Sequence, residues 1–372
     1  MRVYVLDPGL IYVRGHQHDW DTRIASHLAE LGHDVAFFAN QQAKPDALLG
    51  FDKRVRVERL FRLDSHVMPE RFDPICGEIE RQLLGAQSVA NDLAKLPPAD
   101  AWIWPTAFSY QLRACAAVES DARISACLQM PPDTGFGLPM AEPGPWWRFA
   151  AKRLRASGGR VQTVGTLEPE CLAAFQHFLG DLDPILLPVP YDGKPVRRTE
   201  LKTIGFVGGR RFEQGGMQLI AGAIALCLRA GLQVLTQTHE CVPVPLRKHP
   251  GLEVLDHRGA FPEKVERCDL VIAPYQWSEY TGGRGSGVVY QAIASGIPCV
   301  APYASSPGRS LSRIGSGSLF NEFTSAGIFK AIQSAQANYP ALAEAAYRGA
   351  QEWREHNGLA KFVDVMIGGS KH

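Results

Sequence analysis

Residues 284–302, RGSGVVYQAIASGIPCVAP, combine a Gly/Ser turn, a helix start and a buried strand, and they form the chain's clearest pattern for anion binding. Ser286 is a residue type that caps helices, and Gly285 and Gly287 leave the first backbone N–H groups uncovered. A helix start of this kind presents unpaired donors and roughly half a positive charge. The pattern therefore predicts a phosphate or diphosphate site, although it also occurs at helix starts that bind nothing.

A second glycine-rich loop lies in Thr203–Gly216, TIGFVGGRRFEQGG, between a predicted strand and a predicted helix start. Arg210 and Arg211 are of the residue type that binds phosphate through two parallel hydrogen bonds. Because adjacent side chains point in different directions, we expect one or the other to reach a diphosphate. The alternative is that both are solvated loop cations beside Glu213.

Two histidines lie in the loop DPGLIYVRGHQHDW, Asp7–Trp20, between the first predicted strand and the first long helix. The rings of His16 and His18 suit hydrogen bonds to sugar hydroxyls or an acceptor, because each ring nitrogen has its own donor or acceptor role. The alternative is polar decoration of a helix start that Asp19 caps.

Two Asp-x-Asp triplets also occur, but the first starts a helix, where residues two apart face away from each other. We therefore expect no catalytic metal.

The elements that must position these residues alternate between strand and helix along the chain. Apolar runs without strict alternation are typical of parallel strands covered on both faces. The strands predicted before residue 191 are Val3–Asp7, Asp34–Asn40, Ala101–Pro105, Ile124–Met130, Val161–Gly165 and Ile185–Pro190. Those predicted after it are Thr203–Gly208, Leu232–Gln237, Leu252–Leu255, Leu270–Pro274 and Cys299–Pro302. One predicted amphipathic helix carries its apolar face on Ile75, Ile79, Leu83 and Leu84.

A Pro-rich stretch at 188–195 separates the two series of strands, and 372 residues favour two domains over one. We predict an α/β fold with two Rossmann-like doubly wound domains, residues 1–190 and 191–340, followed by helices at 341–372. Ligands bind beyond the carboxyl ends of the strands in such sheets, so a cleft between the domains is the expected site.

The composition is that of a soluble globular protein, with 45% hydrophobic and 21% charged residues. A net charge of +1 gives no reason to expect nucleic acid as a partner. No leader segment and no apolar run of about 18 residues is visible, which predicts a cytoplasmic protein. The eight cysteines form no Cys-x-x-Cys pair and lie mostly among apolar neighbours, so we expect reduced core residues rather than metal ligands.

Residues 284–302 resemble the nucleotide-sugar signature of retaining glycosyltransferases with the GT-B fold, family 4, in which R-x-S-G-V-x-x-E-A precedes G-x-P-V-V. The matching residues are Arg284, Ser286, Gly287, Val288, Ala292, Gly296, Pro298 and Val300. Gln291 stands where the family usually has a Glu that accepts hydrogen bonds from ribose, and a neutral amide is a weaker acceptor. Gly283 replaces the family's other Glu, and Glu279 is either its substitute from an altered loop or an exposed loop carboxylate.

Residues 203–216 are similar to the family's V-G-R-x-x-x-E-K-G motif, whose Arg and Lys hold the donor diphosphate. Gly209 and Gln214 stand at those two basic positions, and Arg210 and Arg211 are the expected substitutes.

The remaining resemblances fall in the first half of the chain. Residues 7–20 resemble members that begin with D-P-G-L and continue to G-G-H-H, with Gly15 and His16 matching. Residues 124–137 lack the His with which many relatives touch the donor sugar. Either Gln129 or Asp133 replaces it, or the two prolines between them simply shape a surface loop.

The resemblance implies four roles for named residues. Donor diphosphate binding falls to Gly209, Arg210, Arg211, Arg284, Ser286, Gly287 and Val288, and nucleoside binding to Gln291. Acceptor or sugar binding falls to Gly15, His16, His18, Gln129 and Asp133. Catalytic roles fall to His16, Arg211 and Glu279. The resemblance further implies that the C-terminal helices cross back onto the first domain.

The implied activity is a hexosyltransferase-type reaction that moves a sugar from a nucleotide-diphosphate donor to a hydroxyl acceptor with retention, without metal or cofactor. Polysaccharide or glycolipid synthesis is the expected setting. One alternative is a non-catalytic module that binds a nucleotide sugar or a partner enzyme, and Gln214, Gln291 and the missing His favour it. Another is a nucleotide-sugar epimerase on the same fold.

A helix with both aromatic and basic residues suggests a further partner. Its residues are Trp146, Trp147, Arg148, Lys152, Arg153 and Arg155. Trp favours the headgroup region and cations favour anionic lipid, which predicts a peripheral contact with the inner face of a membrane. Several relatives act on lipid-linked acceptors there. The alternative is an ordinary amphipathic helix with a solvated basic face.

Overall fold

The computed structural model describes residues 1–13, 17–65, 77–135, 138–139, 143–158, 160–207, 217–237, 242–255, 261–275 and 283–368. The chain divides into two compact units. The first comprises Met1–Pro190 and the chain from Leu359 onward, and the second is Tyr191–Gly358.

The first unit is built on a seven-stranded sheet in the order β3-β2-β1-β4-β5-β8-β9, in which neighbouring strands are parallel. The strands are β1 (Arg2–Leu6), β2 (Asp34–Asn40), β3 (Arg56–Phe61), β4 (Ala101–Trp104), β5 (Arg123–Cys127), β8 (Val161–Thr166) and β9 (Ile185–Leu186). Two short strands, β6 (Thr134–Gly135) and β7 (Leu138–Pro139), form a separate antiparallel pair. The helices between the strands are α1 (Gln17–Glu30), α2 (Glu78–Leu93), α3 (Ser109–Ala116), α4 (Pro143–Ala156) and α5 (Pro169–Leu179).

Helices α2 to α5 form one layer over the first sheet. Buried side chains from all four helices share a single core with strand residues such as Tyr4, Phe38 and Trp104. The layer is closed by aromatic contacts, for example Trp147 of α4 against Phe175 of α5 with ring centroids 5.1 Å apart.

Helix α2 turns a different face to this core from the one that its sequence pattern predicts. Ile79, Leu83 and Leu84 retain 63%, 40% and 48% of their accessible surface. The buried face instead carries small and β-branched residues together with one leucine: Ala86, Val89, Ala90 and Leu93. Both stripes are apolar, and the smaller side chains allow the closer approach to the neighbouring elements, so packing selects them.

The second unit is a six-stranded sheet in the order β12-β11-β10-β13-β14-β15, again with parallel neighbours. Its strands are β10 (Thr203–Phe206), β11 (Gln233–Thr236), β12 (Leu252–Val254), β13 (Leu270–Ile272), β14 (Cys299–Pro302) and β15 (Gly317–Phe320). Its helices are α6 (Met217–Arg229), α7 (Phe261–Glu266), α8 (Gly287–Ala294), α9 (Ser306–Ile314), α10 (Ser325–Ala337) and α11 (Tyr339–His356). Counted within the unit, the strand order is 3-2-1-4-5-6, the order of Rossmann folds.

The chain leaves the second unit after α11, and the last helix, α12 (Leu359–Ile367), packs against α1, β4, β5 and β8 of the first unit. The expectation that all of 341–372 crosses back is wrong for 341–358. Helix α11 packs on α8, where the ring centroids of Trp353 and Tyr290 lie 5.8 Å apart. Gly358, at φ +116°, supplies the left-handed turn between α11 and α12.

Six cysteines of the described residues are free and buried, namely Cys115, Cys127, Cys171, Cys227, Cys268 and Cys299. Cys76 and Cys241 lie outside the described residues. Burial raises the pKa of Cys115 and Cys227 to about 12, so both are neutral thiols. Within the described parts of the chain, no helix is long and apolar enough to cross a bilayer.

Candidate functional site

The start of α8 has the geometry of a capped helix terminus. Ser286 is extended, at φ −124° and ψ 114°, and its Oγ accepts the Val289 N–H at 3.3 Å. The same hydroxyl donates to Tyr275 Oη at 2.9 Å, which fixes its rotamer. Because the cap uses the third N–H of the helix, those of Gly287 and Val288 have no intrahelical acceptor and remain available to a ligand.

This terminus lies where Rossmann-like sheets bind ligands. Helix α8 follows β13, and the strand order reverses between β13 and its neighbour β10. The carboxyl ends of these two strands therefore flank a topological switch point, beside which the helix start presents its donors.

The structure brings only part of the predicted donor site onto described residues. Ser286, Gly287 and Val288 share the first turn of α8, and Arg284 is half-buried two residues before the cap. Gly209, Arg210, Arg211 and Glu279 lie outside the described residues. In the sequence they follow β10 and β13, whose carboxyl ends flank the switch point. Their contribution to donor binding stays a prediction.

Gln291, the residue assigned to the nucleoside, is fully buried on the second turn of α8. Its amide nitrogen donates to the Asp192 carbonyl at 2.9 Å and contacts Ser295 Oγ at 3.1 Å. Its Oε1 has no hydrogen-bond partner among the described residues. The side chain thus ties the first residues of the second unit to α8, and its role toward a nucleoside stays a prediction.

Of the residues predicted to bind acceptor or sugar, Gly15 and His16 lie outside the described residues. His18 Nε2 is 3.0 Å from the Leu49 carbonyl, and its ring packs edge-on against Phe51. These contacts hold the His18 ring against the segment at Leu49 and Phe51, and its role toward an acceptor stays a prediction.

The other two predicted acceptor or sugar residues lie at the carboxyl edge of the first sheet, after β5. Gln129 Oε1 accepts from Thr106 Oγ1 at 2.9 Å. Asp133 is exposed in a turn that the Trp147 indole holds by donating to the Pro132 carbonyl at 2.7 Å.

Sequence reasoning missed a buried carboxyl pair at the start of the first unit. Asp7 directly follows β1 and is fully buried. Its two oxygens accept from the Gly9 N–H and from Gln17 Nε2, both at 2.7 Å. Asp7 thereby joins the two described ends of the loop that contains His16. Only the position of Asp7 at the end of β1 hinted at this role.

Asp21 on α1 is the second member of the pair and is also fully buried. Neither of its carboxyl oxygens accepts a hydrogen bond from any of the described residues. Burial, and then the adjacent Asp7, raise the pKa of Asp21 well above its usual value. At pH values between the unfolded and the folded pKa, Asp21 is therefore protonated in the folded protein and ionised in the unfolded chain. Among the described residues, no group of three or more His, Cys, Asp or Glu side chains is arranged to hold a metal.

We expect Asp21→Asn to stabilise the protein in a pH-dependent way. The folded pKa is raised, so the stability of the unchanged protein falls as pH rises above about 4, by up to about 1.4 kcal/mol per pH unit. Asparagine mimics the protonated carboxyl and cannot ionise, so the variant lacks this slope and gains at least ~1 kcal/mol at about pH 8. Urea unfolding across pH measures both quantities, with exposed Asp121→Asn as the control. Parallel pH profiles for Asp21→Asn and the unchanged protein would contradict the assignment.

Comparisons with known proteins identify the fold. No protein-family model and no curated protein sequence matches the chain. Solved structures do match over almost the whole length, at low sequence identity. WaaG, a glycosyltransferase involved in lipopolysaccharide biosynthesis, is 16% identical with a TM-score of 0.60, covering 99% of this chain and 100% of its own. The calicheamicin glycosyltransferase CalG4 is 15% identical with a TM-score of 0.60, covering 98% and 97%. Sucrose-phosphate synthase from Thermosynechococcus elongatus is 13% identical with a TM-score of 0.61, covering 98% and 96%.

The chain therefore has the fold of the GT-B glycosyltransferases, with two parallel-sheet α/β units, and the predicted fold class is confirmed. Similarity at 13–17% identity establishes the fold, and it does not distinguish family 4 from other GT-B families.

Proposed function

We propose that this protein is a glycosyltransferase that moves a sugar from a nucleotide-diphosphate donor to a hydroxyl acceptor. The supporting observation is the capped start of α8 at the switch point of the second sheet, where two backbone N–H groups remain for an anion. A further structural neighbour, the spinosyn rhamnosyltransferase SpnG, was solved with thymidine diphosphate and has a TM-score of 0.57 and 16% identity. A nucleoside diphosphate is the ligand class that such a helix start suits.

In the proposed mechanism, the second unit stabilises the charge that develops on the departing diphosphate. The N–H groups of Gly287 and Val288 would face the phosphates, together with Arg211 or Arg210 from the loop after β10. Such preorganised donors act where charge develops in the transition state, so the proposal requires no metal or other cofactor. We find no enzymic nucleophile for a double displacement. The resemblance to retaining enzymes suggests a front-face route, and we propose retention by that route, in which the leaving phosphate takes the acceptor proton.

The first unit would hold the acceptor. The loop that Asp7 pins between Gly9 and Gln17 follows β1, which lies next to β4 at the switch point of the first sheet. His16 in that loop, and Gln129 after β5, are the proposed contacts to sugar or acceptor hydroxyls. A hexose donor and a glycan or glycolipid acceptor complete the proposal, and a membrane surface is a proposed partner.

The proposal is tested by a thermal-shift screen over nucleoside diphosphates and their sugars, because a ligand that binds only the folded state raises the melting temperature. The stabilising donor is then assayed for release of nucleoside diphosphate with and without hydroxyl acceptors. Sugar transfer to an acceptor supports the proposal. Tight donor binding without turnover would identify a binding module instead. Inversion of a sugar centre without acceptor would identify an epimerase.

We expect Arg211→Ala to raise the donor dissociation constant on the order of tenfold, because a charged hydrogen bond to the diphosphate is lost. Isothermal titration with the donor from the screen measures this. Arg229→Ala, an exposed arginine on α6 of the same unit, is the matched control. Unchanged affinity in a folded Arg211→Ala protein would remove Arg211 from the site.

A further inference from the structure

The two buried carboxyl groups at the start of the first unit form a pair, of which the proposed function uses only one member. Asp7 and Asp21 are both fully buried, and their side chains are within hydrogen-bond contact of each other. Among the described residues, Asp7 is also the only charged group that acts on the pKa of Asp21. Two adjacent buried carboxylates without a cation are very costly, so the pair needs a proton.

The hydrogen bonds of the pair assign this proton to Asp21. Asp7 accepts from the Gly9 N–H through Oδ1 and from Gln17 Nε2 through Oδ2, both at 2.7 Å, and such donors favour the ionised form. The Asp21 oxygens accept from none of the described residues, so an ionised Asp21 would have no donor there. A protonated Asp21 can instead donate to Asp7, because each carboxylate oxygen accepts two hydrogen bonds.

The other groups around the pair are neutral or apolar. Tyr110 of α3 is buried, and burial, followed by the charges of Asp64 and Asp7, raises its pKa well above the usual value. Tyr110 is therefore a neutral phenol near an ionised Asp7. Trp20, the residue before Asp21, packs on Phe362 of α12 with ring centroids 6.2 Å apart. Neither contact supplies the positive charge that a second carboxylate would need.

The hydrogen bond from Asp21 acts on the segment that follows β1. Asp7 holds the Gly9 N–H on one oxygen and the first side chain of α1 on the other. Asn40, at the end of β2, donates to the Pro8 carbonyl at 2.9 Å and fixes the same segment from the adjacent strand. These contacts lie at the carboxyl ends of β1 and β2, beside the switch point between β1 and β4. A donor that orients Asp7 therefore also orients this edge of the first sheet.

We propose that Asp21 is a positioning residue for the acceptor. As a neutral acid it donates a hydrogen bond to Asp7, and it thereby fixes the segment at Pro8 and Gly9 beside which the acceptor is held. Asp21 itself is fully buried and touches no substrate. The role toward the acceptor rests on the proposed function, whereas the hydrogen bond depends on the first unit alone.

The proton is tested by infrared difference spectroscopy of the full-length protein against Asp21→Asn at about pH 7, where an ordinary carboxyl group is ionised. We expect the C=O band of a protonated carboxylic acid in the unchanged protein and its loss in Asp21→Asn. Asp121→Asn, at an exposed position before β5, is the matched control and should keep the band. Absence of the band from the unchanged protein would overturn the proposal, because Asp21 would then be ionised.

Two variants test whether the hydrogen bond fixes the segment after β1. Asparagine keeps a donor toward Asp7, whereas leucine has a similar volume and no donor. At one pH, hydrogen exchange of the peptide 7–13 should be on the order of tenfold faster in Asp21→Leu and unchanged in Asp21→Asn, because the Gly9 N–H loses a fixed acceptor only in the first. Ile24→Val, at a buried position of α1, controls for a general loss of stability and should leave this exchange unchanged. Equal exchange in Asp21→Leu and the unchanged protein would overturn the proposal.

The role toward the acceptor is tested by steady-state kinetics with the donor and acceptor from the transfer assay. Asp21→Leu should raise the acceptor KM on the order of tenfold and leave the donor KM unchanged, since the donor is held by the second unit. Asp21→Asn and Ile24→Val should keep both constants. An unchanged acceptor KM in Asp21→Leu, or an equal rise in both constants, would overturn the positioning role.

Circular dichroism shows which variants keep the fold, and Asp21→Ala takes the place of Asp21→Leu if the leucine is not accommodated. A protein that transfers no sugar contradicts the proposed function. A missing carboxylic-acid band or unchanged exchange contradicts the hydrogen bond, so the two failures are distinguishable.

Discussion

Replacing Gln291 by glutamate lowers the free energy of unfolding by about 3–5 kcal/mol at about pH 8, the largest effect that we expect from a single site. The exchange removes the amide N–H groups that donate to the Asp192 carbonyl and contact Ser295. It puts a carboxylate oxygen against a carbonyl oxygen in a fully buried position. A buried charge without a partner is among the most costly groups in a folded protein.

The penalty depends on pH with a definite sign. Burial would raise the folded pKa of the new glutamate above the unfolded value of about 4.3, so the loss is largest above the folded pKa. As pH falls to about 4, the carboxyl is mostly neutral in both states and most of this part of the loss disappears. Urea unfolding at the two pH values measures it, with Gln333→Glu at an exposed position of α10 as the matched control.

The same variant also tests the role of Gln291 toward a nucleoside. If the side chain turns to a ribose, Gln291→Glu restores the residue usual in family 4 and should strengthen nucleotide binding without loss of stability. Loss of stability with no gain in affinity places Gln291 among the residues that hold the segment at Asp192 on α8. That outcome would make the departure from Glu a packing requirement of this chain.

Gly205→Ala is the second change for which we expect a large effect, about 3 kcal/mol of destabilisation through overpacking. Gly205 is in the middle of β10, and a Cβ there would collide with Sγ of the fully buried Cys268. Cys268→Ala alone should cost only about 1 kcal/mol. The double variant should regain much of the loss, because removing Sγ makes room for the new methyl group.

A double-mutant cycle of urea unfolding energies measures this coupling, which we expect to exceed about 1.5 kcal/mol in the favourable direction. Gly77→Ala is the control, since a Cβ there meets no atom of the described residues within 4 Å and its φ of −57° suits any residue. If the losses of unfolding free energy of Gly205→Ala and Cys268→Ala simply add in the double variant, the close packing of these two residues is contradicted.

Most strands of both sheets could be predicted from the sequence because central parallel strands are continuous apolar runs. The strands β2, β4, β10 and β13 all lie within predicted segments, and β1 begins one residue before its predicted segment. The missed strands are β3 and β15, at the edges of their sheets. β3 has the sequence RVERLF, in which charged residues face solvent, so it lacks the apolar run that marks an interior strand.

The candidate site could be predicted where its chemistry is local. A Ser at the N-cap accepts from an N–H three residues later, so Ser286, Gly287 and Val288 carry their own signal. Asp7 and Asp21 gave no such signal, because the contact of Asp7 with Gln17 and the proximity of Asp21 to Asp7 arise only when the chain folds.

The sequence by itself determined the alternation of strands and helices, the division near residue 190 and the capped start of α8, since each follows from short-range propensities and the period of apolar residues. Only the tertiary structure decided which stripe of α2 is buried, which way Gln291 points, and that the chain returns to the first unit at Leu359. These choices depend on the surfaces that meet in the folded state. Local sequence does not distinguish two apolar faces of one helix, and packing density in the folded protein selects between them. It also does not distinguish two acceptors for one amide, and the cost of an unpaired buried group selects between those.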